Sequence, residues 1–354
     1  MLRCQSNAAD STIEILQMST VTMAKIKNVL ILLTVSLLVI GLSFWLFLYW
    51  CTTMPGTPYE GELPAKNTIE LQKRLERDVL SLTQLRRNYS KPDEYESSVA
   101  FIEARLAGLG LESTRQAVPT ERGDAFNVIA IIPGTAKTKD TLVIGAHYDT
   151  YASTPGADDN ASGVAGGLEL ARVFKDKPAA KNLLFVFYAN EEPPYFQTEG
   201  MGSLVHAKSL ANDPNIKAIG MFSLEMLGYY DTAPNTQNYP PPLDSFYPDR
   251  GDFIAFVGSM SYRDIVTFST GVFRDSVDFP AYGFAGPGFI RAIGFSDQWS
   301  YWQVGIPALM VTDTAFFRND NYHTSGDTPD TLDWDRFARV VEGLEPVFRA
   351  FDER

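Results

Sequence analysis

Only three histidines occur in the 354 residues, His147, His206 and His323, so the surroundings of each can be read singly. His147 stands in the block Gly-Ala-His-Tyr-Asp-Thr at 145–150, directly after the apolar run 141–146. His323 stands in Tyr-His-Thr at 322–324, a short loop beyond the apolar run 308–311. Carboxylates follow two further runs of this kind: Glu191 and Glu192 after 182–188, and Glu225 after 218–224. Another acidic pair, Asp158 and Asp159, lies in Gly-Ala-Asp-Asp-Asn-Ala-Ser-Gly at 156–163, just before a stretch with helical spacing.

Taken singly, each group has an ordinary structural use, such as a buried imidazole or a helix N-cap. Together, two imidazoles and at least three carboxylates make the mixed nitrogen and oxygen donor set that zinc accepts. Five ligands with one shared carboxylate give each of two ions three protein donors and leave positions open for water, as catalytic zinc requires. Either Asp158 or Asp159 supplies the fifth group. Glu191 and Glu192 then provide one ligand and one base able to take a proton from that water. Asp149, two residues after His147, projects on the same side of an extended chain and can hold the imidazole in its ligating tautomer.

These groups need a frame that delivers them to one place. Short β-rich runs at 127–132, 141–146, 182–188, 218–224, 253–257 and 308–311 alternate with helical spacing at 161–174, 201–210 and 262–273. That alternation predicts an α/β fold with a mixed, centrally parallel β-sheet sandwiched by helices. Ligand sites in such sheets form beyond the carboxyl ends of the strands, where all the candidate donors fall. Two earlier helices, 68–87 and 92–106, read as layers over the sheet. His206 lies inside a helical stretch, matches no donor position and reads as a surface or supporting residue. Ser162 and Ser296 lie outside any G-x-S-x-G turn, so capping is expected of them rather than serine hydrolase chemistry. The two cysteines, Cys4 and Cys51, exclude a disulfide framework, a cysteine zinc site and a thiol nucleophile in the folded part.

Residues 29–50 carry no charge, which as a helix spans roughly 33 Å, enough to cross a bilayer core. Lys25 and Lys27 precede this run, and the first charges after it are Glu60 and Glu62. The positive-inside rule therefore places the N-terminus in the cytoplasm and the rest outside it, in a periplasmic or extracellular space. Trp45, Phe47, Tyr49 and Trp50 crowd the end of the run, which suits a membrane interface and an uncleaved signal anchor better than a cleavage site. The expected organisation is a short cytoplasmic segment at 1–28 without a folding pattern over 1–22, a transmembrane anchor at 29–51, a Pro- and Gly-rich linker at 52–66 and one catalytic domain at 67–354. Met18 and Met23 are alternative starts. With 43 acidic against 30 basic residues, a formal charge of -13, the chain is unsuited to binding nucleic acid through a basic face.

The blocks at 145–150, 156–163, 190–192, 223–228, 296–299 and 322–333 resemble, in order, those of family twenty-eight of the metallopeptidases. This two-zinc aminopeptidase family includes bacterial leucyl aminopeptidases and glutamate carboxypeptidase II, and the resemblance covers roughly 68–352. It implies two zinc ions per chain and a peptide substrate. It makes Asp158 the bridging carboxylate, with His147 and Glu225 completing one zinc site and Glu192 and His323 the other. It makes Glu191 the general base and Asp149 the partner of His147. Glu225 stands where many members have Asp, Gln298 where many have His, and Ile293 where some bacterial members have a Tyr near the oxyanion. The segments 193–201 and 229–250 are expected to wall the substrate pocket. Two alternatives share the fold: a single-zinc enzyme similar to glutaminyl cyclases, and a non-catalytic, receptor-like binding domain.

Overall fold

A computed structural model describes residues 4–354, with side chains from Thr22 onward, and the chain divides after Cys51 into two compact units. The first is helix α1, Cys4–Thr52. It begins earlier than the apolar run requires, because a helix once nucleated propagates cheaply through residues that tolerate it. The expectation of no folding pattern over 1–22 is thus corrected from Cys4 on, while residues 1–3 lie outside the described residues. Thr22–Thr52 is long and apolar enough to cross a membrane, with a mean hydropathy of 2.6. Leu30, Leu37 and Ile40 are all exposed, and apolar residues occupy every face, as in a helix that meets lipid rather than a core.

The second unit is an α/β fold around one eight-stranded sheet. Its strands are β1 Ser113–Thr120, β2 Gly123–Ile132, β3 Asp140–His147, β4 Asn182–Tyr188, β5 Lys217–Glu225, β6 Ile254–Ser259, β7 Ala281–Gly286 and β8 Ala308–Thr312. Their order is β1-β2-β4-β3-β5-β8-β6-β7. The four central strands, β4, β3, β5 and β8, are parallel, while β2 joins β4 and β6 joins β8 antiparallel. Central strands buried on both faces must be apolar throughout. In β3, Leu142, Ile144 and Ala146 face the main core, and Val143 faces a smaller one on the other side. Helices α2 Ile69–Thr83, α3 Pro92–Gly108, α4 Gly163–Asp176, α6 Arg263–Ser276 and α8 Trp334–Ala350 contribute to the main core. Helix α5, Gly202–Ala211, and the short α7, Gln298–Trp302, cover the other face.

Register fixes the site. His147 pairs with Tyr188 and Glu225 with Thr312, so four parallel strands end level with one another. The segment expected as a linker is docked at its start: Met54 is buried, and Arg274 Nη1 donates to the carbonyls of Met54, Pro55 and Gly56 at 3.1–3.2 Å.

His206 lies on α5, as its spacing indicated, but it is not a surface residue. It is 4% exposed, and its Nδ1 lies 2.6 Å from Tyr301 Oη, which is 2.6 Å from Tyr188 Oη. Burial alone pushes its pKa down to about 4. A histidine whose folded pKa is depressed stabilises fully above its unfolded value of 6.5, and that contribution is lost as pH falls toward 4. His206 by itself is expected to contribute a loss of about 1.4 kcal/mol per pH unit within this window. Urea unfolding of the unsubstituted chain and of His206→Gln at pH 7 and pH 5 reads that loss as the difference between the two chains' pH dependences.

Candidate metal centre

The carboxyl ends of the parallel strands bring the candidate donors together. His147 ends β3; its Nε2 lies 3.3 Å from Glu225 Oε2 at the end of β5 and 3.4 Å from Asp159 Oδ1. His323, beyond β8, has its Nε2 3.1 Å from both Asp159 Oδ2 and Glu192 Oε1. Two groups result, His147 with Asp159 and Glu225, and Asp159 with Glu192 and His323, and within each the ligand atoms lie within 4.8 Å of one another. The His323 ring is stacked between Tyr151 at 4.1 Å and Tyr322 at 3.8 Å between centroids.

The carboxylate between the two imidazoles is that of Asp159, not of the expected Asp158. Backbone geometry explains the exchange. Asp159 is extended, at φ -103° and ψ 90°, so adjacent side chains leave on opposite sides. Asp158 turns inward, where its Oδ1 accepts from Gly228 N at 2.9 Å and its Oδ2 from Asn319 Nδ2 at 3.1 Å. Burial and the nearby Asp313 carboxylate push its pKa well up. Asp327 accepts from the backbone N–H of both Asp158 and Asp159, at 2.8 and 3.0 Å, and so holds this turn in place.

Asp149 lies beside His147 as its spacing implied, with Oδ1 3.4 Å from Nδ1 but without hydrogen-bond geometry. Its two oxygens instead accept from the backbone N–H of Glu191 and Glu192, at 3.0 Å each. One carboxylate therefore ties the end of β3 to the turn after β4. Arg87, unremarked in the sequence, does similar work from the loop after α2. Fully buried, it donates to the carbonyls of Leu82, Tyr148, Pro155 and Gly156 at 2.7–2.9 Å. Gly156 has φ +60°, and a Cβ there would lie 2.3 Å from Asp159 O and 2.7 Å from Arg87 Nη2, so this turn requires glycine. Ser162 stands at the N-cap position of α4, but its side chain makes no capping bond, and Ser296 does not cap α7. Ser162 Oγ donates to Asp158 O at 2.7 Å and accepts from Leu227 N; Ser296 Oγ donates to Glu225 Oε2 at 2.6 Å.

The donor set suits a divalent cation. Carboxylates outnumber imidazoles in a buried space, and Glu192 Oε1 makes no hydrogen bond although it lies 3.1 Å from His323 Nε2. Donors that point past one another into a shared space hold a cation rather than each other. Without a cation, protons offset the charge. Burial and the Asp159 carboxylate push Glu192 up to about 8. Burial opposes the charge on His323, but Asp159 and Glu192 overcome it and raise it to about 9. Burial raises Glu191 well above the usual carboxylate range, with His147 opposing the rise. Asp159 moves the other way, because both imidazoles outweigh its burial and hold its pKa down.

A cleft of about 150 Å³ opens onto these groups, lined by Asp159, Glu191, Glu192, Phe196, Glu225 and His323. Phe196 comes from the 193–201 segment. A second, apolar cavity of about 130 Å³ shares Glu225, Phe295 and Tyr322 with the cleft. The 229–250 segment supplies its Gln237, Tyr239, Leu243 and Tyr247, facing Phe284, Ile293 and Met310. Gln237 accepts from Arg318 Nε at 2.8 Å and donates to Thr314 Oγ1 at 3.0 Å, which fixes that wall.

The molecule is thus an α/β fold with two adjoining groups of side chains that could hold a metal ion at the carboxyl edge of its parallel strands. The profile of Peptidase family M28 matches residues 127–347. Over 306 residues the chain is 42% identical to "Uncharacterized protein YfbL" of Escherichia coli (strain K12), covering 83% of this chain and 90% of that one. The chain belongs to Peptidase family M28. A protein of Arthroderma otae named "Probable leucine aminopeptidase" is 26% identical over 298 residues, 77% of this chain and 71% of that one. Two solved structures share the fold at low identity. LapB from Legionella pneumophila aligns with a TM-score of 0.65 at 19% identity, covering 86% of this chain and 79% of that one. Fimbriiglobus ruber glutaminyl cyclase aligns with a TM-score of 0.58 at 20% identity, covering 84% and 99%.

Proposed function

We propose that this peptidase is a zinc-dependent aminopeptidase with two zinc ions per chain, removing N-terminal residues from peptides outside the cytoplasm while its N-terminal helix anchors it in the membrane. The observation that carries this reading is the shared Asp159 between two complete donor groups, with Glu191 in the same cleft. His147 and Glu225 would hold one ion, Glu192 and His323 the other, and Asp159 both. Bound zinc lowers the pKa of its water toward neutrality and polarises a carbonyl. Glu191 takes the proton of the attacking water and passes it to the leaving amine. Asp149 holds Glu191 in register through the two backbone N–H groups. The apolar cavity next to Glu225 accepts the side chain of the first residue, and its aromatic and aliphatic walls favour large apolar ones.

Zinc-loaded full chain in detergent, given short peptides, is expected to release a free N-terminal Leu or Phe and to spare the N-acetylated peptides. The fold is shared with glutaminyl cyclases, so the product decides. Loss of ammonia from N-terminal glutaminyl peptides with no amino acid released would favour the single-zinc alternative, and absence of bound zinc would favour a receptor-like domain.

Zinc binding should also be coupled to pH. Asp159 raises Glu192, and Asp159 with Glu192 raises His323, so this group holds at least one proton near neutrality that must leave when metal binds. Affinity should therefore rise with pH above neutrality, with at least about one proton released at the His323 group. Calorimetric titration in two buffers of different ionisation enthalpy counts those protons.

A further inference from the structure

We propose that the turns following β6 and β7, which carry Met260 and Phe289, form a membrane-contacting surface that seats the folded unit on the bilayer. The inference rests on the membrane-anchor part of the reading above. Phe289 is 83% exposed, the most exposed large apolar side chain among the described residues, and Met260 is 37% exposed. A lone exposed apolar residue needs no explanation, but these two share one place. β6 and β7 are parallel, and Ser259 pairs with Gly286, so the two turns leave the sheet side by side. Ile290 N donates to Pro287 O at 2.9 Å, a tight turn with Gly288 and Phe289 at its tip.

The folded unit is tethered at this same end. α1 ends at Thr52, and the next carbonyl, that of Thr53, accepts from Arg263 Nη2 at 2.7 Å. Arg263 begins α6 directly after the turn Met260–Tyr262, which packs against β7. Met54 then enters between β7 and α6: a Cβ on Gly283 would lie 2.7 Å from both Met54 Cγ and Thr270 Oγ1. At about 3.5 Å per residue, a tether this short keeps the start of α6 close to the lipid. The charges within the two turns are Arg263, Asp264 and Arg291, and Asp264 is ion-paired with Arg354. An apolar tip flanked by arginine suits the boundary between lipid phosphates and acyl chains. β6 runs antiparallel to β8, so these turns lie at the opposite edge of the sheet from the metal donors. The cleft therefore faces away from the lipid and draws its peptides from the aqueous phase.

The experiment uses full chain carrying Cys4→Ser and Cys51→Ser, reconstituted in vesicles of phosphatidylcholine and phosphatidylglycerol. One environment-sensitive fluorophore is attached through Phe289→Cys, Met260→Cys or Leu80→Cys. Leu80, an exposed residue of α2, is the control, because the loop after α2 carries Arg87 to the metal edge. Lipids brominated near the glycerol backbone should quench the probes at 289 and 260. Iodide should quench those two about tenfold less than the probe at 80, because an ion does not enter hydrocarbon. Phe289→Asp should open the probe at 260 to iodide while turnover of soluble peptides stays unchanged. Vesicle-bound chain in which iodide reaches 289 as readily as 80, or in which brominated lipid quenches 80 instead, overturns the surface alone. Chain that fails to float with the vesicles overturns the anchor reading, and the surface with it.

Discussion

Glu191→Gln is expected to lower kcat by about 10²–10⁴-fold, the range for a positioned proton-transfer group, with both zinc ions retained and KM little changed. The amide keeps the shape of the side chain but cannot accept and return a proton. Glu191 is 6% exposed and belongs to neither donor group, so its replacement leaves every candidate ligand in place. Its backbone N–H remains bonded to Asp149, which preserves the turn. Zinc content by elemental analysis and steady-state kinetics on a Leu-initiated peptide make the test. Turnover near that of the unsubstituted enzyme would remove Glu191 from the mechanism. Loss of zinc would instead make it a ligand.

The second large effect separates two adjacent residues. Asp159→Ala should lose both ions, because both donor groups include it. Activity should fall by at least about 10³-fold, since Lewis-acid metals supply several kcal/mol at 1.36 kcal/mol per factor of ten. Zinc should no longer raise the thermal midpoint of the variant, since ligand stabilisation requires a site. Asp158→Ala should behave differently. It strands the Gly228 N–H and the Asn319 amide in a buried place, at about 1–3 kcal/mol, yet leaves the donors facing the cleft. That variant should be less stable but still bind two ions. The opposite pattern, with zinc lost in Asp158→Ala and kept in Asp159→Ala, would refute the reassignment.

Much of this site could be read from residue order. His147, Glu192, Glu225 and His323 each come after an apolar run, and runs of that length between helical stretches form a parallel sheet whose carboxyl edge gathers the residues next in the chain. The edges of the sheet were less legible. β1 carries Arg115, Gln116 and Pro119 and lacks an apolar face of its own, because it lies at the margin and pairs only with β2. The short α7 has too few residues to show a period. The helix long and apolar enough to cross a membrane was legible from composition alone, since an uncharged run of that length with apolar side chains on every face needs no tertiary context to be seen.

The amino-acid sequence by itself determined the donor types, the strand ends that carry them and the apolar helix before them, because these are set by local periodicity and chemistry. Only the tertiary structure decided which of Asp158 and Asp159 faces both imidazoles, as an irregular turn has no period from which a side chain's direction can be read. Tertiary packing likewise made Ser296 a partner of Glu225, 71 residues away, and Arg87 the tie from its own loop to the loop after β3, more than sixty residues beyond it. Those contacts close over long stretches of chain, and only the packed fold brings their atoms within bonding distance.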